Sequence, residues 1–472
     1  MRYVSTRGVA PELGFADAML AGLARDGGLY VPAEAPRLSE ATIKSFAGAP
    51  YETVAAAVMA PFVGDAMTPS ALRASLESAY ADFAHPAKAP LVQLAPNLFG
   101  LELFHGPTFA FKDFAMTWLA RAMDAELARR GRRATVVGAT SGDTGSAAIS
   151  AFAGRDNVDV FVLFPAGRVS DVQRRQMTTA GAPNAHAIAI EGDFDACQAL
   201  VKGLFNDHPF RDRHSLAGVN SINWARILAQ VVYYFAAAAA LGAPRRAVSF
   251  SVPTGNFGDV LAGAYARKLG LPVAELLVAT NENDVLARTF ATGACERRET
   301  KPTMSPSMDI QVSSNFERAL FDACGRDAAT LRARMDGLAQ ARRFDLAPGE
   351  LAALKREYGA ARVSEDDCRD EMASTARATG YVLDPHGAIA VRAARGLLAV
   401  EPATPAVALL TAHPAKFPDA VERAIGRRPE PPARLAELAT RREDFVTLPD
   451  DLAAVRAHVA RRSRAGAAAS AA

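Results

Sequence analysis

Six short apolar runs, rich in β-branched and aromatic residues, lie at 134–137, 158–164, 187–190, 248–252, 276–279 and 407–410, with helix-length stretches between them. Runs of this length without polar alternation are buried on both faces, and strands joined through helical crossovers pair in parallel. From residue 91 onward the chain is therefore predicted to be α/β, with mostly parallel sheets covered by helices on both faces. Its 472 residues exceed what one core serves, so two or three domains are expected. A mostly helical N-terminal unit is predicted over residues 1–85, punctuated by turns at Asp26-Gly27-Gly28 and Ala35-Pro36. Two α/β lobes follow over 86–460, with a helical insertion at about 290–380, where strand signals stop and residues 329–358 favour helix. The low-complexity end, 461–472, reads as a flexible tail.

The charge balance excludes some function classes. Lys and Arg number 53 against 51 Asp and Glu, a net +2, which lacks the basic excess of a nucleic-acid binder. Cys197, Cys295, Cys324 and Cys368 are widely spaced and suggest neither a metal site nor a disulfide framework, which fits a reducing cytoplasm. The N-terminus lacks the pattern of a signal peptide, and the most apolar helix candidate, 227–241, is too short to span a membrane.

Four segments stand where an α/β enzyme places its ligands, after strands or at helix starts. Lys112 lies among Phe109, Phe111, Phe114 and Met116. Such surroundings desolvate an amine and favour its neutral, nucleophilic form, although a lysine lying over apolar surface with its ammonium in water is the commoner case. Residues 136–146 run from a strand into Thr140-Ser141-Gly142-Asp143-Thr144-Gly145, whose hydroxyls and free amides suit a carboxylate or phosphate, or form a plain helix cap. The segment is neither a Walker loop nor a dinucleotide fingerprint. Residues 248–259 end a strand in Pro253-Thr254-Gly255-Asn256-Phe257-Gly258-Asp259, a two-glycine turn that lets backbone amides approach a phosphate, or else an ordinary tight turn. At 406–417 a buried strand ends in Thr411, an uncharged hydroxyl able to bond a ring nitrogen, although taken alone it reads more simply as a strand-end residue; His413 reads as a satisfied loop residue.

In this order the segments resemble the fold-type II pyridoxal-phosphate enzymes, and their wording is most similar to the threonine synthase family. The resemblance runs from Tyr3-Val-Ser-Thr-Arg-Gly8 through Asp26-Gly-Gly-Leu-Tyr-Val-Pro32 and Lys112 to Thr411-Ala-His-Pro-Ala-Lys-Phe417. It implies a tryptophan-synthase-β-like fold, bound pyridoxal 5′-phosphate, a catalytic region over 86–460, and conversion of O-phospho-L-homoserine and water into L-threonine and phosphate, the last step of threonine biosynthesis. By the same resemblance Lys112 is the Schiff-base lysine, Gly255, Asn256, Phe257 and Gly258 hold the cofactor phosphate, and Thr411 faces the pyridine nitrogen. Thr140, Ser141, Thr144 and Asn256 are implied to contact the substrate. Within Asn220-Ser-Ile-Asn-Trp-Ala-Arg226, Ser221 and Arg226 match residues that contact the substrate phosphate, in keeping with the need of a dianion for a guanidinium fork and hydroxyl donors.

One position departs from the wider fold type. Many members carry Asn, a donor to the cofactor 3′-oxygen, where this chain has Asp143. An ionised Asp143 only accepts, so that contact is indirect or its proton is shared differently. Alternatives within the fold are a phospho-lyase releasing 2-oxobutyrate and a threonine or serine dehydratase. A non-catalytic small-ligand binder is the alternative outside it. No nucleic-acid or membrane partner is expected, and the assembly is a monomer or homodimer.

Overall fold

A computed structural model describes residues 1–468. All six apolar runs form strands, in two sheets. The first sheet has the order β14-β11-β10-β15-β5-β4, comprising β4 (Leu91–Ala95), β5 (Leu98–Glu102), β10 (Val248–Pro253), β11 (Val273–Thr280), β14 (Gly359–Arg362) and β15 (Ala406–Leu410). Only β4 pairs antiparallel; its tight connection turns at Asn97, which adopts the left-handed conformation that Asn tolerates. The second sheet is parallel throughout, in the order β16-β8-β7-β6-β9, with β6 (Ala134–Ala139), β7 (Val158–Pro165), β8 (Ala185–Glu191), β9 (Leu216–Ala217) and β16 (Val446–Pro449). Every residue of β7, β10 and β15 is buried, as strands covered on both faces require. The helix Trp224–Ala240 is apolar nearly all round and lies inside the main core.

The first 85 residues do not stand apart. Helices Tyr51–Val63 and Pro69–Tyr80 pack on helix Lys112–Arg129 and on Trp224–Ala240 through Tyr51, Tyr80, Phe83, Phe114 and Tyr233, whose ring centroids lie 4.8–5.9 Å apart. One continuous apolar cluster runs through both regions. A small antiparallel sheet, β1 (Arg2–Ser5), β2 (Leu13–Gly14) and β3 (Tyr30–Pro32), also lies here, its strands too short to carry a readable period.

The region 290–380 differs from an all-helical insertion. Helices Phe316–Ala323, Ala328–Ala341, Pro348–Glu357 and Glu365–Thr379 are present, but so are the antiparallel pair β12 (Ala294–Glu296) and β13 (Arg343–Asp345), and β14, which extends the first sheet beside β11. The sequence of β14, Gly-Ala-Ala-Arg, has no strand propensity; its pairing with a neighbouring edge makes it a strand.

The segment read as a flexible tail is partly anchored. Helix Leu452–Arg462 runs into it, and a short helix, Arg464–Ala468, follows. Asp159, a carboxylate inside the apolar strand β7, needs a partner, and Arg464 donates its backbone N–H at 2.7 Å and its Nε at 2.6 Å. Residues 469–472 lie outside the described residues.

Gly145 sits where helix Asp143–Phe152 crosses β7. A methyl group there would lie 2.7 Å from both Met177 Sδ and Val162 Cγ1. Gly145→Ala is expected to destabilise the fold by about 1–3 kcal/mol, the cost of overpacking, although alanine is the better helix former. Urea unfolding measures it, and an unchanged midpoint would show that this contact yields freely.

Candidate active site

The loop before Lys112 is held by Asp113, which accepts from Thr108 N at 2.8 Å and Thr108 Oγ1 at 2.7 Å. Phe109 turns through φ +59°, and Phe111 N donates to Thr411 O at 2.9 Å, which ties the loop to the end of β15. Lys112 is thereby the first residue of helix Lys112–Arg129, and its Nζ projects into a cavity at the carboxyl ends of the strands. Nζ stands 3.4 Å from Asp143 Oδ2 and 4.7 Å from the Phe111 ring centroid. Phe111 is the apolar neighbour at the amine; Phe114 and Met116 are in the main core, and Phe109 packs with Ala415 and Leu435. Burial lowers the Lys112 amine below the usual lysine range; Asp143 opposes this, and the charges of Lys416 and Arg226 reinforce it.

Asp143 opens the helix that follows β6. Burial alone would raise its carboxyl, but Lys416, then Lys112, hold it well below the usual carboxylate range. Its Oδ1 accepts from Lys416 Nζ at 2.7 Å and Gln173 Nε2 at 2.9 Å. Gly142, at φ +143°, closes against the Gln173 side chain, a place with no room for a Cβ. The neighbouring hydroxyls divide. Thr140 Oγ1 accepts from the amides of Gly142 and Gly145, both at 2.9 Å, and so shapes the loop from within. Thr144 lines the cavity, whereas Thr140 and Ser141 do not.

After β10 the chain passes through Gly255 and Asn256 to Phe257, a non-glycine residue at φ +63°, and then enters helix Gly258–Lys268. All four residues line the cavity. The turn aims the unpaired amides of the first helical turn at that space. It is buttressed by Ser313 Oγ donating to Gly255 O at 2.7 Å and Asn315 N donating to Asn256 O at 3.0 Å. A Cβ on Gly255 would stand 2.9 Å from Ser307 O, so only glycine fits beneath this strap. Thr411, buried at the end of β15, faces the same cavity.

Asn223 caps helix Trp224–Ala240 by accepting from Ala225 N, which sets Arg226 on the first turn. Arg226 is 2% exposed and donates through Nη1 to Val219 O at 3.2 Å, while its Nε has no partner. Among the described residues, no carboxylate lies within ion-pair distance of it, and burial pushes its guanidinium down to about 10. Ser221 lines the cavity too. Gln230 Oε1 and Asp259 Oδ2 are likewise buried, unpartnered and part of the lining. Burial raises Asp259 to about 6, with Tyr233 and Tyr234 donating to its other oxygen. His386 accepts from Ser307 N at Nε2, so its ring proton sits on Nδ1, 2.7 Å from Asp384. Lys112 and Arg226 line the space and Lys416 stands behind Asp143, so three basic groups face the two carboxylates of Asp143 and Asp259, a balance that suits an anionic ligand.

Three family models match: "Threonine synthase N terminus" over residues 2–80, "Pyridoxal-phosphate dependent enzyme" over 85–412, and "Threonine synthase, C-terminal" over 387–459. Threonine synthase of Pseudomonas aeruginosa is 50% identical over 467 residues, covering 99% of each chain. The chain belongs to the threonine synthase family. The Schizosaccharomyces pombe relative is 41% identical, over 90% of this chain and 89% of its own. Among solved structures, pyridoxal-phosphate-bound threonine synthase from Brucella melitensis superposes with a TM-score of 0.95 at 56% identity, covering 98% of this chain and all of that one. Yeast threonine synthase gives 0.92 at 35%, covering 98% of each chain.

Pyridoxal 5′-phosphate is thus the cofactor, and the cavity suits it: an amine for its aldehyde, a glycine turn at a helix start for its phosphate, and an uncharged hydroxyl at Thr411. Among the described residues no group of acidic, histidine or cysteine side chains could hold a metal ion, and no helix is long and apolar enough to cross a membrane. Sequence reasoning assigned no role to Lys416, Gln173, Gln230, Asp259, Ser307 or His386. Lys416 stands inside the Thr411–Phe417 motif and Asp259 at the end of the glycine turn, but a single polar letter does not reveal which charge it meets.

Proposed function

We propose that this cavity converts O-phospho-L-homoserine and water into L-threonine and phosphate, with Lys112 as the residue that bonds the cofactor and moves the protons. Arg226 carries the reading: a buried guanidinium without a carboxylate partner, facing the same space as the amine, is matched by a phosphorylated substrate and has no use for free serine or threonine. When bound, pyridoxal phosphate supplies the electron sink that makes the substrate's Cα and Cβ protons removable. Lys112 Nζ, lowered by burial, takes and returns those protons. Ser221 and Arg226 hold the phosphate that leaves from Cγ, and Asn256 and Thr144 orient the remainder of the substrate. The amides of the Gly255–Gly258 turn hold the cofactor phosphate, and the Thr411 hydroxyl meets the ring nitrogen without adding charge. Thr140 acts through loop shape, since both its acceptor contacts are internal.

Incubating the cofactor-loaded protein with O-phospho-L-homoserine tests this. Threonine and phosphate should appear in equal amounts; 2-oxobutyrate in place of threonine would make the chain a phospho-lyase.

A further inference from the structure

Lys416 is 0% exposed, one of the few lysines that any fold buries, and the proposed reaction gives it no task. It follows β15 and reaches back under the Lys112 loop. Its Nζ lies 2.7 Å from Asp143 Oδ1 and donates to Thr108 O at 2.8 Å. Asp143 is thus bracketed by two lysine side chains, with Lys416 on Oδ1 and Lys112 at 3.4 Å from Oδ2. The shorter contact belongs to the lysine that does no chemistry.

We propose that Lys416 is a positioning residue which competes with Lys112 for the single carboxylate of Asp143, and thereby keeps Lys112 available as a free amine. The inference rests on the reading of Lys112 as the cofactor-bonding residue. A buried Asp–Lys pair left to itself would lock the lysine as an ammonium, useless as nucleophile or base. A second cation on the far oxygen withdraws part of that attraction and adds repulsion of its own. Oδ1 is saturated by Lys416 and Gln173, which leaves only Oδ2, also 3.5 Å from Ser307 Oγ, turned toward the cavity.

Other ionisable groups surround the amine, and Asp259, raised by burial to about 6, changes charge below the range in which the amine titrates. Arg226 adds to the repulsion from helix Trp224–Ala240, and Asp259 faces it from helix Gly258–Lys268. Asp113, next along its own helix, is turned to Thr108, and His386 is turned to Asp384. Lys416 acts in the same direction as burial on Lys112, and Asp143 acts against both.

The test is the pH at which Lys112 becomes reactive, followed in full-length protein by trace acetylation with mass spectrometry of the Lys112 peptide, and in cofactor-loaded protein by the pH midpoint of the visible absorption band. In Lys416→Met both midpoints should rise by about one pH unit or more, since Asp143 then serves Lys112 alone. Lys416→Arg, which keeps the charge, should restore the wild-type midpoint. Asp143→Asn, which removes the attraction while keeping Lys416, should move the acetylation midpoint of folded protein down. Unchanged midpoints in folded Lys416→Met, or a midpoint in Asp143→Asn that stays or rises, would overturn the proposal. Failure of the underlying reading looks different: wild-type protein would form no visible band at Lys112 at all.

Discussion

Lys112→Ala is expected to lose at least about a thousandfold in kcat, because one substitution removes both the cofactor's covalent partner and the proton carrier. Lys112 reaches the cavity from the first turn of a helix whose other contacts are in the core, so shortening its side chain should leave the fold intact. The protein should then lack the visible absorption band given by wild type with pyridoxal phosphate. Borohydride should fix no cofactor to the peptide containing residue 112. A variant that keeps full turnover, or a reduced adduct on another side chain, would end the assignment. Lys112→Arg should fare no better, since guanidinium stays protonated and forms no such bond at working pH.

Arg226→Met is expected to raise KM for O-phospho-L-homoserine by about tenfold to a hundredfold, the loss of one or two charge-assisted hydrogen bonds, while the cofactor stays bound. A second consequence separates a ligand-binding arginine from a structural one. The guanidinium is buried with its Nε unpartnered and with no carboxylate partner among the described residues, so it costs stability while no anion is present. The ligand-free variant should therefore resist urea at least as well as wild type. A structural arginine would behave the opposite way, with a clear loss of stability and little change in KM. Unchanged KM removes Arg226 from the phosphate subsite.

Much of this architecture was legible along the chain. Runs such as 158–164 and 248–252 are apolar without alternation because helices cover both faces of their sheets, and that cause writes itself directly into local composition. Glycines at 142 and 255 were legible for a similar reason: a φ of +143° in one case and a carbonyl 2.9 Å from the missing Cβ in the other restrict the choice of residue. The small strands were not legible. Strands β2 and β9 have two residues each, and β14 is Gly-Ala-Ala-Arg; these are strands only because a neighbouring edge accepts their hydrogen bonds. The anchor at Arg464 is illegible for the same kind of reason, since it looks like any charge in a low-complexity end until Asp159, 305 residues earlier, is seen to need it.

The site divides along the same line. Lys112, the glycine turn at 255–258 and Thr411 are candidates by residue type at strand ends and helix starts, which are local properties, whereas their roles, and Ser221 and Arg226 altogether, come from the resemblance to a family. The internal use of the Thr140 hydroxyl, the unpartnered state of Arg226 and the pairing of Asp143 with Lys416 belong to the folded molecule alone. Hydrogen bonding and charge balance depend on distances of about 3 Å between residues far apart in the chain, and no local pattern encodes which lysine a buried aspartate will meet.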